Sequence, residues 1–134
     1  MPGSFLDTNV LVYLASGDPE KADRAERIVA AGGWISVQVL NELVHVARRK
    51  LRLSWPETCE FLSLIRGLLS VRPLTIEIHD AGLALAQRCN VSTYDAMILA
   101  AALDADCDVL WTEDMQNGLV IDGRLRIADP FRAA

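Results

Sequence analysis

The feature that most constrains this chain is the alternation of very short apolar runs with longer segments of helical periodicity. Ser4-Phe5-Leu6, Trp34-Ile35-Ser36-Val37, Asp108-Val109-Leu110-Trp111-Thr112 and Leu125-Arg126-Ile127 read as strands, and Val71-Arg72-Pro73-Leu74 as a strand or an extended link. Asn9 to Leu14 suits a short helix capped by Asp7 or Thr8. Asp18-Pro19 is an N-cap with proline at the first helical position, opening a helix that carries Ala22, Ala25, Ile28 and Val29 on one face and stops at Gly32-Gly33. Val39 to Lys50 bears an apolar stripe, and Ile76 to Cys89 is helical. Ser54-x-x-Glu57 and Ser92-x-x-Asp95 have the spacing of capping boxes, the second opening a helix that runs to Leu103. Strands that alternate with helices of roughly 10 to 15 residues predict βαβ units. The expectation is one α/β domain over residues 1–134, with a central parallel sheet of four or five strands and helices on both faces.

A chain of 134 residues can bury a core without disulfides. Cys59, Cys89 and Cys107 are odd in number and scattered, which points to a reducing cytoplasm and to three small core residues. Met1-Pro2-Gly3 has no basic leader, and the apolar run from Met97 to Leu103 is far too short to span a bilayer, so no membrane role is expected. The net charge of −5 opposes a nucleic-acid partner unless several acids hold divalent cations, which would reverse the local field.

Four acids share one end of this architecture. In open parallel sheets ligands bind beyond the carboxyl ends of the strands. Asp7 closes the first strand and Asp114 follows the fourth, while Glu42 and Asp95 stand near the starts of two helices, which begin at the same edge. Each has a plain alternative: a helix cap for Asp7, a solvated face for Glu42, a turn for Asp114, a buried capping acid for Asp95. Asp95 is the hardest to explain that way. It shares a helical face with Ile98, Leu99, Ala102 and Leu103, which aims it inward, and no Lys or Arg stands near it in sequence. Two carboxylates about 5 Å apart repel by roughly 3 kcal/mol at an effective dielectric of 20, so a converged cluster demands protonation, basic partners or metal. An oxygen-only set suits Mg²⁺ or Mn²⁺ and not zinc. His45 and His79 lack ligand spacing and read as surface or half-buried residues.

Phe5-Leu6-Asp7-Thr8-Asn9-Val10-Leu11 resembles the opening motif of the PIN-domain family. Glu42 matches its helix-borne acid, Thr93-Tyr94-Asp95-Ala96 with Ile98-Leu99-Ala100-Ala101-Ala102 is similar to its third motif, and Leu110-Trp111-Thr112-Glu113-Asp114-Met115-Gln116 to its fourth. The four motifs span nearly the whole chain in order, and at this length the chain resembles the stand-alone VapC-type toxins of bacterial toxin–antitoxin pairs. The resemblance implies Mg²⁺- or Mn²⁺-dependent RNA cleavage, with metal held by Asp7, Glu42, Asp95 and Asp114 and support from Asn9 and Thr112. It also implies a homodimer and a cognate antitoxin. Asn117 stands where some relatives carry a further acid, a departure that bears on a second metal position.

Two other readings of the sequence are open. An aspartyl-nucleophile phosphatase would use Asp7-x-Asn9, but Asn9 cannot act as an acid and no lysine follows Lys50. A non-catalytic interaction module would be expected to have lost some of the four acids. Arg48, Arg49, Lys50 and Arg52 form the only basic cluster, which suits RNA phosphates or simply a helix C-terminus. Apolar residues on the helices after Asp18 and Ser54, with Trp55, Phe61 and Leu64, suggest a groove between these helices for an amphipathic antitoxin segment.

Overall fold

The computed structural model describes residues 3–132. Met1 and Pro2, part of the leader reading above, lie outside the described residues, as do Ala133 and Ala134. The strands are β1 (Ser4–Leu6), β2 (Trp34–Ser36), β3 (Ser70–Arg72), β4 (Val109–Trp111), β5 (Val120–Ile121) and β6 (Leu125–Ala128). The helices are α1 (Thr8–Val12), α2 (Pro19–Ala30), α3 (Val37–Arg49), α4 (Trp55–Leu68), α5 (Ile76–Cys89) and α6 (Thr93–Asp104), with a 3₁₀ turn at Tyr13–Ala15. They form one sheet of order β3-β2-β1-β4-β6-β5 flanked by helices. Every neighbouring pair is parallel except β5 with β6. The expected parallel strands are therefore present, β3 among them, and one two-residue strand is added. It turns back through Asp122 and Gly123, whose positive φ values of 52° and 67° suit that dipeptide.

Burial explains the parallel order. Phe5, Leu6, Ile35, Leu110 and Ile127 on the strands and Leu43, Ile98 and Leu99 on the helices are all buried, as strands covered by helices require. The sequence expectation for α6 needs correction. All of Ala96 to Ala102 is buried, not one stripe, because α6 lies against α5, α3 and β2. Of the cysteines, Cys107 is buried and Cys89 half-buried, but Cys59 is exposed on α4 and is not a core residue. His45 and His79 are exposed. Among the described residues no helix is long and apolar enough to cross a membrane.

Strand order fixes where a ligand can sit. From β1 the chain winds outward to β2 and β3, then returns to β4 on the other side of β1. That reversal opens a crevice at the carboxyl ends of β1 and β4. The register pairs Leu6 with Trp111, and the Asp7 amide donates to the Trp111 carbonyl at 3.0 Å. The next residues on the two strands, Asp7 and Thr112, therefore stand side by side at the crevice.

Candidate active site

Asp7 ends β1 and caps α1. One carboxylate oxygen accepts from the Thr8 amide at 2.7 Å. The other accepts from the Thr112 hydroxyl at 2.8 Å and from the Asn9 amide nitrogen at 3.2 Å. Asp7 is only 3% exposed. Burial pushes its carboxyl from 3.8 up to about 7, aided by the negative charges of Glu42 and Asp95 and opposed by the bonds from Thr112 and Thr8. Among the described residues no Lys, Arg or His bonds it, so only neutral donors offset its charge.

Asn9 ties the crevice together. Its amide nitrogen faces Asp7, the Thr112 hydroxyl at 3.0 Å and Asp114 Oδ2 at 3.0 Å. Its two hydrogens face three acceptors, so one of them is shared. Its carbonyl oxygen accepts from the Glu113 amide at 3.1 Å. The buried Thr112 hydroxyl also accepts from the Asp114 amide at 3.2 Å, which sets the turn carrying that acid.

Glu42, one turn into α3, is half-buried. It accepts from the Thr8 hydroxyl at 3.1 Å and the Gln38 amide at 2.7 Å, so it is not a solvated surface residue. Asp95 is half-buried in the first turn of α6. Burial raises its carboxyl above the usual carboxylate range, the Ser92 hydroxyl opposes this, and Glu42 and Asp114 raise it further. Only half of the expected capping box forms. The Ser92 hydroxyl accepts from the Asp95 amide at 3.1 Å, and among the described residues the Asp95 carboxylate makes no return bond to the Ser92 backbone. That leaves the carboxylate free to face the crevice.

Asp7, Glu42, Asp95 and Asp114 all line one cavity of about 320 Å³, together with Asn9 and Lys50. The remaining members of the basic cluster do not line it. Arg48 stacks 4.5 Å from the Trp55 ring and donates to the Leu53 carbonyl, while Arg49 and Arg52 are exposed elsewhere. Asn117 does not line it either; its side-chain oxygen accepts from the Asp129 amide at 2.8 Å and pins the C-terminal segment.

An all-oxygen donor set next to an uncompensated buried carboxylate fits a hard divalent cation. As placed, no three acidic, His or Cys groups among the described residues stand in ligand geometry.

The PIN domain profile matches residues 4–116. The chain belongs to the PIN domain family. Among solved structures its fold is similar to a toxin–antitoxin complex from Klebsiella pneumoniae, at 21% identity and a TM-score of 0.74 over 97% of this chain and 99% of that one. It is also similar to VapC20 of Mycobacterium tuberculosis, described as a sarcin–ricin loop cleaving toxin, at 19% identity and 0.68 over 83% of this chain and 91% of that one. A third is DNA-bound VapBC from Salmonella typhimurium, at 24% identity and 0.65 over 97% and 99%. No curated protein sequence matches.

Three features of this PIN domain escaped the sequence reading. Glu113 lines the same cavity and holds the Tyr13 hydroxyl at 2.7 Å and Lys21 at 3.4 Å. Strand alternation would have turned Glu113 away, but β4 ends at Trp111, so alternation does not apply there. Lys21 also lies over the Tyr13 and Phe131 rings, at 4.7 and 5.1 Å. Thr8 and Gln38 orient Glu42; the hint for Gln38 was its place four residues before that acid, on the same helical face.

Proposed function

We propose that this PIN domain is a Mg²⁺- or Mn²⁺-dependent endoribonuclease that hydrolyses RNA phosphodiester bonds as the cytoplasmic toxin of a toxin–antitoxin pair. The observation that carries the reading is the convergence of Asp7, Glu42, Asp95 and Asp114 on one crevice, with Asp7 buried and its charge unpaired. These four would hold the ion. When bound, it supplies charge neutralisation at the phosphate and an acidified water for attack. The chain's own side chains do the rest. Asn9 and Thr112 fix the carboxylates of Asp7 and Asp114, Thr8 and Gln38 fix Glu42, and Lys50 offers a cation to the phosphate at the cavity wall.

The partner reading draws on the toxin–antitoxin assemblies among the structural neighbours and on an apolar groove along α4. Its apolar lining is Ala15, Leu53, Phe61, Leu64 and Leu68, beside Glu57, Glu60 and Ser63, with Leu64 59% exposed. Among the described residues α2 contributes nothing to that wall, so the groove runs beside the 3₁₀ turn and not between α2 and α4 as the sequence suggested. An amphipathic antitoxin helix would dock there, and an arginine from it would pair with the carboxylates. A homodimer is part of the same proposal.

The test is direct. Purified protein should cleave RNA with Mg²⁺ or Mn²⁺ and be silent in EDTA. Robust cleavage in chelator, with an Asp95→Asn control to expose contaminating nuclease, would sink the metal reading. Expression should arrest bacterial growth, and co-expression of a neighbouring small open reading frame should relieve it.

A further inference from the structure

The acidic crevice has a second chamber. Glu42 and Asp95 form a wall shared with an adjoining depression of about 560 Å³, whose other sides include Gln38, Asn41, His45 and Tyr94. The chemistry of the two chambers differs. Lys50 lines the first, whereas neither Lys nor Arg lines the second. A phosphate placed in the second would meet no lysine or arginine among the described residues.

What the second chamber offers is an aromatic face and unspent hydrogen-bonding groups. Tyr94 is 68% exposed, the most exposed large apolar or aromatic side chain among the described residues. Asn41, His45 and Tyr94 make no side-chain hydrogen bond among the described residues, and Gln38 spends its amide nitrogen on Glu42 while its carbonyl oxygen stays free to accept. A neutral, planar ligand with amino-group donors on its edge suits that lining. Single-stranded RNA presents such a ligand when a base is splayed out and stacked on an aromatic ring.

We propose that this chamber is a base-binding subsite, taking the nucleobase next to the scissile phosphate, with Tyr94 as its stacking platform and Asn41, His45 and the Gln38 carbonyl reading its edge. The inference rests on the ribonuclease reading of the adjoining crevice.

The test uses the full chain with Mn²⁺ and a random-sequence single-stranded RNA pool. Cleavage ends are sequenced and initial rates are measured. Tyr94→Ala should raise KM on the order of tenfold with kcat within about twofold, as loss of one stacked base implies. It should also flatten the base preference at a single position beside the cut. Tyr94→Phe should keep both, and Asn41→Ala should change preference at that same position. Wild-type cleavage with an unchanged KM and preference in Tyr94→Ala would overturn the subsite while leaving the nuclease reading intact. So would a wild-type dimer falling to monomer in Tyr94→Ala by light scattering, which would make this face an interface between copies. Loss of the Mn²⁺-induced rise in melting temperature in Tyr94→Ala would overturn it too, by tying Tyr94 to the carboxylates. No RNA cleavage by wild type would remove both readings together.

Discussion

Asp7→Asn should stabilise the metal-free protein at alkaline pH even as it abolishes catalysis. The folded protein raises the Asp7 carboxyl from 3.8 to about 7. An acid with a raised folded value binds its proton more tightly folded than unfolded. Its penalty is therefore absent below the unfolded value, grows as pH rises, and is complete above the folded value. At ~1.4 kcal/mol for each tenfold, the cost at pH 8 is about 4 kcal/mol. Asparagine removes that charge. It keeps an oxygen for the Thr8 amide but turns a donor toward the Thr112 hydroxyl and the Asn9 amide, which now deliver hydrogens there. One or two lost bonds cost about 1 kcal/mol each. The net expectation is a gain of about 2 kcal/mol at pH 8 and a difference near zero at pH 5. Urea denaturation in EDTA at both pH values, comparing midpoints and slopes, measures it. A variant less stable than wild type at both pH values, or a difference that does not change with pH, would refute the view of Asp7 as an uncompensated buried acid. Adding Mn²⁺ at pH 8 should then raise wild-type stability more than that of the variant.

Asp95→Asn should lower RNA cleavage by orders of magnitude with the fold intact by circular dichroism. Glu113→Gln should cost less, about tenfold, because Glu113 holds Tyr13 and Lys21 at the cavity edge; equal losses in parallel rate assays would make Glu113 a member of the acidic set. Gly33→Ala should destabilise by about 2 kcal/mol in denaturant titration, since Gly33 has φ of 155° and a Cβ there would lie 2.8 Å from the Ser4 carbonyl oxygen. Asn9→Ala should lower activity about a hundredfold, read by the same rate assay, because the Asn9 amide nitrogen faces the carboxylates of both Asp7 and Asp114.

What could be read from the sequence was set by how local its causes are. Alternating periodicity is local, and it gave the parallel sheet and the strand ends that put Asp7 beside Thr112. Asp95 was legible because an acid heading an apolar stripe is anomalous wherever it occurs. Contacts set by distant segments were not legible. The full burial of α6 depends on α5 crossing over it, and a two-residue strand such as β5 carries no measurable period. The basic cluster looked like one patch because its members are adjacent in sequence. Folding splits it: Trp55 draws Arg48 aside, and Lys50 alone lines the crevice. Glu113 was not legible because it lies two residues past the end of β4, where strand alternation no longer applies.

The charge balance also changes meaning once the groups are placed. A net charge of −5 spread evenly would repel RNA from every side. Here Asp7, Glu42, Asp95, Glu113 and Asp114 all border one cavity that Lys50 alone among the basic residues lines. Much of the repulsion is thus concentrated where a divalent ion would cancel it, and the rest of the surface carries a weaker excess. On the proposed reading the acids serve as more than ligands. They keep RNA out of the crevice until the ion arrives, so the substrate phosphate enters a site whose negative field the ion has already weakened. Burial raises the Asp7 carboxyl, and on the proposed reading the ion would offset the charge it carries when ionised.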